Sequence, residues 1–133
     1  GEEAKPLAKI ASGGELARIM LAIKNVLAEK DGIGTIIFDE VDTGVSGSAA
    51  QKIGKKLAEV ARHRQVICVT HLAPVAACAA HHYRIYKTVE DGRTFTRVEE
   101  LTRPQRVQEL ARIMVGENIT DSALKSAEEM LES

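Results

Sequence analysis

The chain has 133 residues, of which 44% are apolar and 28% charged, a balance that suits one globular domain with a single core over residues 1–133. Eighteen basic residues against nineteen acidic ones leave a net charge of −1, so no overall positive field draws the domain onto a polyanion. No apolar run approaches the roughly 18 to 20 residues needed to cross a bilayer, and no basic segment with an apolar stretch marks a signal peptide. The reading is therefore a cytoplasmic domain without a membrane partner. Gly1 in place of a starting Met points to a segment cut from a longer chain or to the remnant of a tag.

Residues 1–11 carry charge, Pro6 and little periodicity, which predicts an entry segment or a short strand. From Gly14 the pattern changes. Leu16, Ile19, Met20, Ile23, Val26 and Leu27 recur at helical spacing, with Arg18, Lys24 and Asn25 on the other side, predicting an amphipathic helix that Gly32 and Gly34 end. Thr35 to Phe38 is short, β-branched and aromatic, and its lack of alternation predicts a strand buried on both faces.

After a turn-rich stretch from Asp42 to Ser48, Ala50, Ile53, Leu57, Val60 and Ala61 alternate with Lys52, Lys55, Lys56, Glu59 and Arg62 to give a second helix. Val66 to Val69 is again continuously apolar. Strand, helix and strand in this order form a parallel βαβ unit, which places His71 at a strand's carboxyl end, the edge where ligands bind in open α/β sheets. Pro74 begins a short helix to about Ala80. Tyr83–Val89 and Thr94–Leu101, joined through Glu90-Asp-Gly-Arg93, predict a hairpin, because Asp-Gly between β-branched residues is a strong turn signal. Two helices close the chain, one around Val107, Leu110, Ala111 and Met114 with Gly116 as its stop, the other from Thr120 through Leu131.

Cys68 and Cys78 lie in apolar surroundings and are too few for a disulfide framework or a zinc quartet, so they read as reduced core residues. Cys78 with His81 and His82 fits no common zinc spacing, and the histidines read as solvated loop residues. Arg84, Lys87, Arg93, Arg97, Arg103, Arg106 and Arg112 read as a mostly solvated surface.

Three short motifs carry chemistry. Ser12-Gly13-Gly14-Glu15 is a capping box at a helix start, and its two glycines would equally let a phosphate reach the exposed backbone N–H groups. Asp39-Glu40 ends a buried strand. Two carboxylates there are costly unless a cation neutralises them, so Asp39 fits a Mg²⁺ ligand and Glu40 the group that orients or deprotonates an attacking water. His71, on the same sheet edge, can hydrogen-bond a terminal phosphate or that water. Alone it reads as a solvated side chain.

Together these motifs resemble the ATP-binding-cassette ATPases. Ser12 to Glu15 is similar to the signature motif, Thr35 to Glu40 to the Walker B strand, Val41 to Ser46 to the D-loop, and His71 to the switch histidine. Gly-Gly-Glu-Leu and Asp-Glu-Val-Asp resemble the chromosome-structure and DNA-repair branch, whereas transporter cassettes read Ser-Gly-Gly-Gln and Asp-Glu-Pro-Thr. Two departures stand out. Ser46 occupies the place of the usual D-loop Asp, for which Asp42 is a substitute, and no G-x-x-x-x-G-K-[ST] occurs in the chain.

The resemblance implies an α/β fold, the C-terminal lobe of a P-loop ATPase head, with a mostly parallel sheet, flanking helices and a late β-hairpin. It implies that an N-terminal Walker A lobe of the same protein and a second head in a head-to-tail homodimer complete the site. In that dimer Ser12, Gly13, Gly14 and Glu15 would meet the ATP of the other head, Asp39 would hold Mg²⁺, and Glu40 and His71 would be catalytic. The implied role is double-strand-break repair on DNA contacted through the full-length protein, at the nucleoid. A non-catalytic dimerisation or interaction lobe is the alternative.

Overall fold

The computed structural model describes Lys30, Gly32, Gly34–Asp39 and Val45–Ser133. The predicted helix from Gly14 lies outside the described residues, as do Ser12, Gly13, Gly14, Glu15, Glu40 and Asp42. The chain divides into two compact units, residues 1–78 and 79–133.

In the first unit, β1 (Thr35–Asp39) pairs in parallel with β2 (Gln65–Val69), and α1 (Gly47–Val60) connects them. The register sets Asp39 opposite Val69. Ile36 and Phe38 of β1 pack on Ala50, Ile53, Leu57 and Val60 of α1, with Val75 of the short helix α2 (Ala73–Ala77) completing the core. The helical spacing read in the sequence delivers these contacts, since residues three and four apart share one face.

The expectation of a doubly buried strand is corrected. β1 alternates, with Ile36 and Phe38 at 7% and 2% exposure while Ile37 between them is 59% exposed. On β2, Ile67 and Val69 are also exposed. A parallel pair carries helices on both faces to be fully buried, and among the described residues only one face of this pair is covered. Apolar runs without alternation thus announced a second covering layer that these residues do not supply.

The helices α1 and α2 approach closely at Gly54. A Cβ there would meet Cys78 Sγ at 2.7 Å and the Pro74 carbonyl oxygen at 3.1 Å. Gly54→Ala is expected to destabilise the first unit by about 1–3 kcal/mol, as overpacked sites do, measured by chemical denaturation. Adding Cys78→Ala removes the closer contact but not the carbonyl, so the double variant should regain part of the loss. Equal stability of Gly54→Ala and the parent would show that the two helices separate freely.

In the second unit, β3 (Tyr83–Glu90) and β4 (Arg93–Glu100) form an antiparallel hairpin whose register, Glu90 opposite Arg93, leaves a two-residue turn. Asp91 and Gly92 both have positive φ, 50° and 74°, as the twist-matched hairpin turn requires. α3 (Arg103–Val115) and α4 (Asp121–Glu132) follow. A capping box opens α3: Thr102 N–H donates to Gln105 Oε1 at 2.8 Å, and Gln105 N–H donates to Thr102 Oγ1 at 3.4 Å. Gly116 ends α3 with φ 83°, and Thr120 caps α4 by accepting from Ala123 N–H. Leu110, Ala111 and Ala127 are wholly buried.

Candidate ATPase half-site

The parallel register assembles what is described of the site. β1 ends at Asp39 and its partner β2 ends at Val69, so His71 follows two residues beyond the position opposite Asp39. Both stand at the carboxyl edge of one parallel pair, and both are exposed. Thr35, Ile37 and Asp39 share the face of β1 turned away from α1, because side chains alternate along a strand. The acid therefore stands at the end of the same open apolar face as Ile37.

Ser46 is the N-cap of α1, with extended backbone angles, and its carbonyl oxygen accepts from Ala50 N–H at 2.8 Å. Its side chain makes no cap hydrogen bond. The residue in the place of the usual D-loop Asp is thus spent on backbone geometry at a helix start, with its hydroxyl left over from capping.

Between β2 and α2 the chain turns tightly around His71. Thr70 Oγ1 accepts from the Leu72 N–H at 3.1 Å, a side-chain turn of the kind Ser and Thr form with the residue two ahead. Thr70 stands beside His71 in the motif but is given no role by the sequence, although a Thr two residues before a helix N-cap is a recognisable signal.

One expectation in the second unit needs correction. His82 is not a solvated loop histidine: it is half-buried, its Nδ1 has no hydrogen-bond partner among the described residues, and burial, then the nearby Arg106 charge, pushes its pKa down. His81 is exposed and pairs with Glu100 at 2.8 Å. The basic residues are mostly solvated, as read, with Arg84, Arg97 and Arg112 keeping 42%, 47% and 37% of their side-chain exposure, and several are also paired. Arg84 and Arg112 converge on Glu109, which is 8% exposed, Arg97 pairs with Glu90 at 3.0 Å, and Arg106 donates to the Ala79 carbonyl at 2.9 Å. The hydrogen bond from Arg112 is the main reason the Glu109 carboxyl lies below its usual pKa, burial working against it.

A groove of about 380 Å³ lies beside this cluster, lined among others by Arg84, Leu101, Glu109 and Arg112. Both of its guanidiniums pair with Glu109, and it contains none of the motif residues.

A search for matching family models returns none. Among solved structures, the fold resembles the SMC head domain from Thermotoga maritima, with a TM-score of 0.57 and 28% identity over 70% of this chain and 35% of that one. It also resembles an SMC structure from work on ATP-driven dimerisation and DNA-stimulated activation of SMC ATPases, with a TM-score of 0.63 and 19% identity over 86% of this chain and 68% of that one. The fold is that of part of an SMC-type head domain.

Whole-chain comparison narrows this further. The chain is 49% identical over 131 residues to DNA repair protein RecN of Bacillus subtilis and 48% identical over 131 residues to that of Deinococcus radiodurans, each match covering 98% of this chain. Along nearly its whole length the chain matches these RecN proteins and corresponds to their C-terminal part. It spans 23% of the length of either relative.

Proposed function

We propose that the chain, residues 1–133, is the C-terminal lobe of an ATPase head that binds and hydrolyses ATP in a head-to-tail homodimer and drives repair and recombination of broken DNA. The observation that carries this reading is the register that brings Asp39 and His71 to one edge of a parallel pair, in a sequence close to RecN along its whole length. Ser12, Gly13, Gly14 and Glu15 would meet the phosphates of ATP held by the partner head, where a helix N-terminus favours anions. Asp42 would take over the D-loop carboxylate's place. The protein would work in the cytoplasm, on the nucleoid; among the described residues no helix is long and apolar enough to cross a membrane.

A hard carboxylate at an exposed strand end is the donor that Mg²⁺ takes, so Asp39 fits the ion and would hold it. When bound, Mg²⁺ neutralises charge on the β- and γ-phosphates. Glu40 would accept the proton of the attacking water as general base, and His71 would donate a hydrogen bond to the γ-phosphate.

The open face of the parallel pair supports a partner within the same protein. Ile37, Ile67 and Val69 stand exposed beside Asp39 on β1 and β2, the arrangement expected of a sheet awaiting its remaining strands. An N-terminal Walker A lobe would cover it and supply the phosphate-cradling loop that the 133 residues lack.

The purified 133-residue chain is therefore expected to hydrolyse no ATP above background. Mixed with a separately produced Walker A lobe, it should associate, hydrolyse ATP, and form larger assemblies only when nucleotide is present, as read by light scattering. Robust turnover by the chain alone, or inert mixtures that never associate, would sink the composite-site reading.

A further inference from the structure

We infer that Thr70 is a positioning residue for His71: its hydroxyl, together with the seat of α2 on α1, fixes the turn from which the imidazole projects. The inference rests on the ATPase reading above and extends it to a residue that reading leaves without a role.

The turn is pinned at both ends of His71. On one side, Val69 is held in the ladder opposite Asp39, so the chain leaves β2 at a fixed point. On the other, Leu72 N–H donates to Thr70 Oγ1 at 3.1 Å. This bond joins the residue before His71 to the residue after it and closes a small ring around the His71 backbone, which restricts the two dihedrals that aim the side chain. The Leu72 carbonyl oxygen is also engaged, accepting from Val75 N–H at 3.2 Å and Ala76 N–H at 3.1 Å. Both backbone polar groups of the residue following His71 are thus fixed.

The helix that receives this turn cannot drift. Ala73, Val75 and Ala76 of α2 are buried, and at Gly54 the backbone of α1 comes so close that a Cβ would sit 3.1 Å from the Pro74 carbonyl oxygen. Leu72, the N-cap of α2, has no side-chain oxygen with which to cap the helix. Thr70 thus fixes the entry of the chain into α2 where the cap residue itself supplies no side-chain bond.

Positioning matters because a small misplacement of a group whose hydrogen bond to the γ-phosphate strengthens in the transition state lowers turnover more than binding. The test is steady-state ATP hydrolysis by the full-length protein carrying Thr70→Val, which keeps the shape and removes the hydroxyl, and Thr70→Ser, which keeps the hydroxyl. Glu40→Gln and His71→Ala serve as references. Thr70→Val should lower kcat by about tenfold to a hundredfold with KM for ATP within about twofold. Thr70→Ser should restore kcat to within about threefold of the parent, and both variants should keep the parent's DNA-free dimerisation with ATP.

If Thr70→Val retains the parent kcat while His71→Ala loses it, Thr70 does not position His71. Equal losses in Thr70→Val and Thr70→Ser would also overturn the inference, since the hydroxyl would then be irrelevant. Should Glu40→Gln and His71→Ala both hydrolyse ATP like the parent, the catalytic roles given to Glu40 and His71 fall, and a parent that hydrolyses no ATP would sink the ATPase reading itself; both results are distinguishable from failure at Thr70 alone.

Discussion

Replacing Glu40 by Gln in the full-length protein is expected to lower steady-state ATP hydrolysis by about a hundredfold or more while leaving ATP binding near that of the parent, because general-base catalysis contributes about 10²–10⁴-fold. The amide matches the carboxylate in size and can hydrogen-bond water, but it cannot take up the proton that the attacking water must lose. Its neighbour Asp39, the last residue of β1, is assigned a different task, and its replacement should give a different signature. Asp39→Asn should raise the Mg²⁺ concentration needed for half-maximal activity, since a neutral oxygen is a weaker ligand for a hard cation. Glu40→Gln should leave that requirement in place. A further consequence separates binding from chemistry: with hydrolysis blocked, heads engaged by ATP should persist, so Glu40→Gln should accumulate nucleotide-bound dimers under conditions in which the parent cycles through them. A Glu40→Gln protein that retains the parent kcat within about twofold, whatever its dimerisation, would show that another group accepts the proton.

The elements around these residues were largely legible in the sequence because each is specified locally. Asp91-Gly92 sets a two-residue turn by its backbone preferences, and the hairpin follows within a residue at either end. The apolar spacing of Ile53, Leu57 and Val60 makes α1 and names its buried face. What eluded sequence reading depends on groups distant in the chain. Ile37 and Val69 look like interior residues, and whether they are covered depends on a layer that the described residues do not provide. Glu109 looks like an exposed helical acid at salt-bridge spacing from Arg112, and it is buried because the hairpin brings Arg84 to its other side. The site shows the same division. Asp39 and His71 were recognisable by type and by their place after apolar runs, and the pairing of β1 with β2 brings them to one edge. Glu40, Asp42 and the Ser12 to Glu15 motif lie outside the described residues, so their assignment rests on sequence alone.

The Glu109 cluster yields the largest stability effect expected in the second unit. Glu109→Gln removes the charge that two guanidiniums share: Arg112 Nε donates to Glu109 Oε2 at 3.0 Å, and Arg84 Nε lies 3.6 Å from the same oxygen. Breaking a buried pair by removing one partner costs about 3–5 kcal/mol, but Arg84 and Arg112 retain 42% and 37% of their side-chain exposure, so water screens them and about 1–2 kcal/mol is the expected loss at neutral pH. The pH dependence identifies the cause. In the folded state the Glu109 carboxyl lies below its ordinary value of 4.5, chiefly because Arg112 hydrogen-bonds its charged form. At low pH the unfolded chain therefore binds the proton first, and the stability that this carboxylate contributes, complete above about 4.5, is lost as the pH falls through the folded-state value. His82 acts in the same direction at higher pH. Burial and Arg106 hold its folded pKa below 6.5, so stability begins to fall as the pH drops below 6.5, where the unfolded imidazole takes up a proton that the folded one resists. Because Glu109 favours the protonated form of His82, Glu109→Gln should depress the His82 pKa further, readable by NMR titration of the ring. Thermal unfolding from pH 7 to pH 3 should accordingly show the parent and Glu109→Gln well separated at neutral pH, with the gap narrowing below pH 4.5 as the parent's carboxylate is neutralised. A gap that stayed constant across that range would mean that Glu109 acts through packing rather than through its charge.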